Sequence, residues 1–284
     1  HKYPHMGGPG PVIDFLNECV RWWDKWLKDI DTGVQDDPMI RAWMKDTVSP
    51  ISDRRPGRWV GEKEWPAKDI NEKRLNLLYG ELGPEDGEQS HAVLSIQSPL
   101  SVGLFAGKWC SYSETTDLPS DQREEDGGSL IFDTLPLKED LEILGSPRLE
   151  VELSSNKPVA TIAARISDVA PNGRATRVTY GVLNLTHRHS HENPEELEEG
   201  RKYRITIEMN DVAQKFPAGN QLRLSISSSY WPLAWPSPEP ARLKIFLENS
   251  RLVLPERAPK PSDELLRDLG RPGEGRKLST TLLV

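Results

Sequence analysis

Apolar residues recur at Val12, Ile13, Phe15, Leu16, Cys19, Val20, Trp22, Trp23, Trp26, Leu27 and Ile30, the i, i+3, i+4 stripe of an amphipathic helix over 12–30. Asp14, Glu18, Arg21, Lys25 and Lys28 fall on the other side. Pro11 suits the first helical turn and Gly33 a stop. With three tryptophans the stripe is too broad for packing on one side, so this helix needs a large partner. The partner is either the sandwich that follows or a domain upstream.

Residues 46–72, rich in Pro, Gly and charge, read as irregular, with Trp59 and Trp65 as anchors. From about residue 73 the period changes to two. Leu149, Val151 and Leu153 alternate with Glu150 and Glu152, and Ile162, Ala164 and Ile166 alternate with smaller or polar neighbours. Tyr203, Ile205, Ile207 and Met209, then Leu222, Leu224 and Ile226, continue the pattern. Period two with one polar face places strands over a core. Turn signals at Pro171-Asn172-Gly173, Glu199-Gly200 and Ala218-Gly219-Asn220 separate them. Many such strands without intervening helices predict an antiparallel sandwich or jelly roll. The stretch after Pro255 reads as a surface-hugging tail.

The net charge of −8 disfavours nucleic-acid binding. No apolar run is long enough to cross a membrane. Cys19 and Cys110 make no disulfide framework, so a reduced, cytoplasmic setting is expected, with Cys19 buried as a small hydrophobe. In that setting the glycosylation pattern at Asn184-Leu185-Thr186 carries no meaning.

The chemistry of a hydrolase is incomplete. No Gly-x-Ser-x-Gly elbow occurs: the nearest spacing, Gly103 to Gly107, centres on Phe105. No phosphate loop, dinucleotide fingerprint or Cys-x-x-Cys pair is present, and no cofactor is expected. His187, His189 and His191 would share one face of a strand and could chelate a metal. A strand end running into a polar loop is the preferred reading, and no metal is expected. The run SSSYWPLAWPSP (Ser227 to Pro238) holds Tyr230, Trp231 and Trp235. Its rings either stack on sugars, leaving them exposed, or plug an interface, burying them; the plug is preferred.

Several stretches together resemble the family of X-Pro dipeptidyl-peptidases, cocaine esterase, α-amino acid ester hydrolases and glutaryl-cephalosporin acylases. They are HKYPHMGGPGP (His1 to Pro11), RWWDKWLK (Arg21 to Lys28), DQREEDGGSLIFDT (Asp121 to Thr134), ISDVAPNGRATRVTYGVLNLTHR (Ile166 to Arg188) and FPAGNQLRLSISSSYWPLAWPSP (Phe216 to Pro238). The resemblance implies an α/β-hydrolase domain with a Ser-His-Asp triad, followed by a non-catalytic jelly roll that helps wall the substrate pocket. The fold class expected is mainly β: a galactose-binding-like jelly-roll sandwich preceded by an amphipathic helix left from a truncated hydrolase domain. Residues 1–36 would be that remnant and 37–284 the jelly roll. His1 fits the place of the triad histidine, with His5 second. Nucleophile and acid would lie upstream, so the fragment alone is expected to be inactive. One departure stands out: where the family often has Gly-His-Arg, this chain has Gly219-Asn220-Gln221.

The stretch from Leu104 to Pro119 lacks alternation yet carries Leu104, Phe105, Trp109 and Tyr112. These are the candidate pocket residues, the alternative being that they tuck into the core. The partners expected are the upstream hydrolase domain, its small-molecule or peptide substrate, and a second copy of the chain through the apolar helix. A free-standing module for carbohydrate is the competing function, disfavoured because it would not need that helix.

Overall fold

The computed structural model describes residues 10–108 and 118–273. The helix forms as α1 (Phe15–Lys28), shorter than the periodicity suggests at both ends. Asp14 caps it, accepting from the Asn17 amide, so Pro11 precedes the helix rather than opening it. Asp29 ends it in the left-handed conformation, and Gly33 instead begins a short 3-10 turn at Val34–Asp36.

Strands begin earlier than their alternation announces. β1 (Ile40–Lys45), just before the stretch that reads as irregular, and β2 (Gly57–Glu62), inside it, form an antiparallel hairpin. The hairpin's inward positions mix Met44 and Val60 with Arg58 and Glu62. Those charges form ion pairs: half-buried Arg58 with the buried Glu142 at 2.7 Å, and buried Glu62 with the fully buried Arg257 at 2.7 Å. A charged inward face hides the period-two signal.

The remaining strands follow in order: β3 (Ile70–Leu77), β4 (Leu82–Pro84), β5 (Val93–Ile96), β6 (Leu130–Asp133), β7 (Leu141–Gly145) and β8 (Arg148–Ser155). Then come β9 (Thr161–Val169), β10 (Ala175–Asn184), β11 (Tyr203–Glu208), β12 (Val212–Phe216), β13 (Gln221–Ser227) and the long β14 (Leu243–Arg257). A single helical turn, α2 (Arg123–Asp126), precedes β6. They build two sheets. The larger runs β11-β8-β14-β7-β12-β1-β2, with β3 and β5 also on β14 and β4 on β3. The smaller runs β10-β9-β13-β6. Among the named strands every pairing is antiparallel except β1 with β12.

The expected mainly-β sandwich is therefore what the chain forms. Its core sits between the sheets: Leu149, Val151, Ile205, Ile207, Ile245 and Leu252 from one meet Phe132, Ile162, Ile166, Leu222 and Leu224 from the other. The turn glycines Gly173, Gly200 and Gly219 take positive φ as their dipeptides imply. After β14, which continues through Pro255, a 3-10 turn at Pro261–Leu265 is clamped by Asp263 to Arg257 at 2.7 Å and to the Gly61 amide at 3.2 Å.

α1 sits on this body the wrong way round for a surface helix. Its polar side faces inward: Arg21 bonds Asp37 and the Thr32 carbonyl, and Glu18 pairs with Arg267 of the tail at 2.6 Å. Its apolar side faces outward, with Leu16, Val20, Trp22, Trp23, Trp26 and Leu27 all exposed and no residue of the helix buried. Cys19, expected inside, is half-exposed for the same reason.

Candidate functional site

The site is built on the outer face of the smaller sheet. In β9 the side chains of Ile162, Ala164 and Ile166 enter the core, so those of Ala163, Arg165 and Ser167 project the other way. All nine residues of β9 are nevertheless buried. A second, smaller core covers the outer face, formed by Val102, Ala106, Ala163 and Tyr230 with Tyr180, Val182, Leu233 and Ala234 around it.

Charge holds this cap in place. Arg165, fully buried, lies 3.5 Å from Glu125 and 3.6 Å from Asp126, donates to Ser129 Oγ at 2.7 Å, and stacks under the Tyr230 ring at 5.3 Å. Arg223 spans Asp133 and Asp126 at 2.7 and 2.8 Å, and these carboxylates raise its pKa further. Burial pushes the Tyr230 phenol upward, against the influence of Arg177 and Arg165. Its oxygen accepts from Arg177 at 2.6 Å, so it is held as a neutral acceptor.

The loop after β5 runs over this charged floor. Each oxygen of the Glu125 carboxylate accepts a backbone N–H from it: Oε2 from Gly103, and Oε1 from Phe105 at 2.7 Å. The Phe105 carbonyl accepts from the Ser120 amide at 3.0 Å and from Gln122 Nε2 at 3.2 Å. Gly103 has φ near +120°, and a Cβ there would stand 2.0 Å from the Trp231 carbonyl oxygen. Only glycine lets the loop and the 230–235 segment approach so closely.

The loop's backbone is pinned and Val102 and Ala106 are buried, but the Leu104 and Phe105 side chains point out. Leu104 is 60% exposed and Phe105 42%. Beside them Trp231 and Trp235 meet edge to face at 5.0 Å, with Trp235 81% exposed. Of the rings in this run, Tyr230 is buried in the chain's own cap, whereas Trp235 lies open, so the burial expected of a plug holds for Tyr230 and not for Trp235. Between Pro99, Leu100 and the run Pro236–Ala241 a cleft of about 440 Å³ adjoins the loop.

Of the sequence-predicted site residues, Leu104 and Phe105 lie together here, while His1, His5, Trp109 and Tyr112 fall outside the described residues. The three alternating histidines do not share a strand face. His187 ends a 3-10 turn at Leu185–His187, Arg188 turns inward over the Tyr203 ring, and only His187 and His191 meet, Nδ1 to Nδ1 at 3.3 Å. Among the described residues no three His, Cys, Asp or Glu side chains converge as metal ligands. Also among them, no helix is long and apolar enough to cross a membrane. Sequence reasoning missed Glu125 and Arg165, because a Glu in an acidic run and an Arg between aliphatic residues read as solvated positions. The site offers apolar wall and aromatic edges for binding, and no serine and histidine are paired among the described hydrogen bonds.

Comparison with known proteins places this geometry. A family model described as the X-Pro dipeptidyl-peptidase C-terminal non-catalytic domain matches residues 32–261. A Bacillus cereus protein named as an Xaa-Pro dipeptidyl-peptidase is 24% identical over 88% of this chain and 40% of its own length. Cocaine esterase of a Rhodococcus species is 28% identical over 40% of this chain and 20% of its own. Among solved structures, an aminopeptidase from a marine sediment archaeon superposes with a TM-score of 0.66 at 18% identity, covering 86% of this chain and 44% of that one. An α-amino acid ester hydrolase superposes with a TM-score of 0.58 at 21% identity, covering 71% and 39%. The chain spans about two fifths of the length of the relatives it matches along most of its own.

Proposed function

The chain belongs to the family of X-Pro dipeptidyl-peptidase C-terminal non-catalytic domains, and from that premise we propose that it packs on a serine hydrolase domain and supplies part of the substrate pocket. The bond cleaved there is an ester or amide, X-Pro dipeptidyl bonds included. On this reading residues 1–36 go with the hydrolase domain and 37–284 are the jelly-roll domain. His1 is the candidate triad histidine of that composite enzyme. Leu104 and Phe105, with Trp109 and Tyr112, furnish apolar wall for the acyl or side-chain group of the substrate. The setting is cytoplasmic, in keeping with the free Cys19 thiol.

The observation that carries this reading is the inverted α1. A helix that turns paired charges inward and three tryptophans outward leaves a contiguous apolar face that water disfavours. The family model begins at residue 32, just past this helix. A hydrolase domain seated on that face would bury the stripe.

The test is to produce the hydrolase domain and this chain as separate polypeptides. Calorimetry should detect their association, and Trp22→Glu or Trp26→Glu should abolish it. This chain alone should not hydrolyse p-nitrophenyl esters or X-Pro amides above buffer. Turnover by the chain alone that survives repurification, or association indifferent to both substitutions, would sink the proposal.

A further inference from the structure

We propose that Glu125 is a positioning residue for substrate recognition: its carboxylate fixes the backbone on which Leu104 and Phe105 are presented. This rests on the reading of those two side chains as pocket wall.

The geometry is specific. Two N–H groups, from Gly103 and Phe105, converge on one carboxylate, one on each oxygen. Leu104 lies between them, so both flanks of its peptide are fixed. Phe105 is held at both ends of its own backbone, since its carbonyl is bonded by Ser120 and Gln122. Hydrogen bonds to an ionised acceptor are about twice as strong as neutral ones, which makes the carboxylate a stiffer anchor than an amide or hydroxyl.

Burying that carboxylate is costly unless it is paired. The fully buried Arg165 supplies the opposite charge, and Arg165 is itself held by Asp126, Ser129 and the Tyr230 ring. A loop needed only to cover β9 could do so with Val102 and Ala106, whose side chains point down into the small core. Leu104 and Phe105 point away from it and remain exposed. The pin therefore adds no burial for those two side chains and fixes where they stand. For a pocket wall, placement is what matters, because a misplacement of about 1 Å can cost on the order of a hundredfold in reaction.

The experiment uses the whole enzyme and compares wild type, Glu125→Gln and Phe105→Ala by kcat, KM, melting temperature and amide hydrogen exchange at Gly103 and Phe105. Glu125→Gln keeps shape and one acceptor oxygen while removing the charge. Exchange at the two amides should accelerate about tenfold or more while the strands stay protected. KM should rise about three- to tenfold with kcat within about twofold, and Phe105→Ala should move KM the same way. Should Glu125→Gln not fold, Glu125→Asp keeps the charge for Arg165 but is one methylene too short for both amides, and the same shifts are expected. Unchanged exchange would show that the pin does not hold the loop. Faster exchange with unchanged KM, while Phe105→Ala does raise KM, would overturn the positioning role and leave the pocket wall standing. If neither substitution moves KM, the wall reading falls and the positioning role with it.

Discussion

Asn220 donates from Nδ2 to Oδ1 of Asp168 at 2.7 Å, and both side chains are buried at one end of the smaller sheet. Thr47 Oγ1 donates to the other oxygen. The arginine donors that hold Glu62, Glu125, Asp126 and Asp263 have no counterpart here: two neutral donors hold Asp168. Asn220 stands where the resemblance leads one to expect histidine. The neutral donor has an electrostatic consequence, because burial raises the Asp168 pKa and the two hydrogen bonds only partly oppose it.

Replacing Asn220 with alanine should cost about 1–3 kcal/mol, the range for leaving a buried acceptor short of a partner. Chemical denaturation at neutral pH measures it. A raised carboxyl pKa binds a proton more tightly in the folded state than in the unfolded one. Its contribution is therefore fully present below the ordinary carboxylate range and is lost as pH rises through the folded value. Asp168→Asn should remove that segment of the stability–pH curve and leave the chain more stable than wild type at neutral pH. An unchanged slope in that window would show that Asp168 titrates normally.

Lys45, at the end of β1, gives a second pH signature of opposite placement. Burial, helped by Arg55, depresses its pKa to about 8. Between about 8 and the ordinary lysine value the unfolded chain holds a proton that the folded chain lacks. Stability should then rise with pH across that window, since the unfolded state binds more protons there. Lys45→Met should flatten the rise and stabilise the chain at neutral pH by on the order of 1 kcal/mol, the full shift being discounted for partial solvation. Thermal melts from pH 7 to pH 10.5 decide it: equal slopes for variant and wild type would refute the assignment.

Much of the sandwich was legible because its strands keep one polar face. β8, β9, β11 and β13 all lie where Leu149–Leu153, Ile162–Ile166, Tyr203–Met209 and Leu222–Ile226 alternate. β1 and β2 were not legible, since Arg58 and Glu62 occupy inward positions and are neutralised by residues far away in sequence, Glu142 for the one and Arg257 and Lys260 for the other. The same physics split the candidate site. Leu104 and Phe105 could be found as apolar residues without alternation. Glu125 and Arg165 could not, because a buried charge is recognisable only once its partner is in place. The helix was legible in type and face, but its ends were set by Asp14 and Asp29 rather than by Pro11 and Gly33.

Gly103→Ala should break the contact between the pinned loop and the 230–235 segment. Its φ near +120° is open to glycine, and the new Cβ would meet the Trp231 carbonyl, which cannot swing aside as a flexible side chain would. The expected cost is about 2–4 kcal/mol, combining backbone strain with displacement of one segment. Tryptophan fluorescence should report the change locally, through the Trp231–Trp235 pair. A melting temperature and spectrum like those of wild type would mean that the two segments do not touch.

The outward stripe of α1 should make the isolated chain self-associate. Trp22 and Trp26 lie against each other, ring centroids 5.7 Å apart, and both stay about half exposed, as does Trp23. When no hydrolase domain is present, a second copy of the same face is the available apolar cover, and two such helices can pair about a twofold axis. Sedimentation velocity should show a concentration-dependent dimer. Trp23→Glu with Trp26→Glu should return it to monomer, since a carboxylate on each side would be buried against its own kind. Because neither ring is buried within the chain, the double variant should lose less than about 1 kcal/mol of unfolding free energy. The two measurements separate the readings of this helix. Monomer with unchanged stability in both proteins would show a face too weak to drive association. A loss of about 3 kcal/mol or more, the cost of removing a core tryptophan, would show that the helix folds back onto its own sandwich and offers no face to a partner.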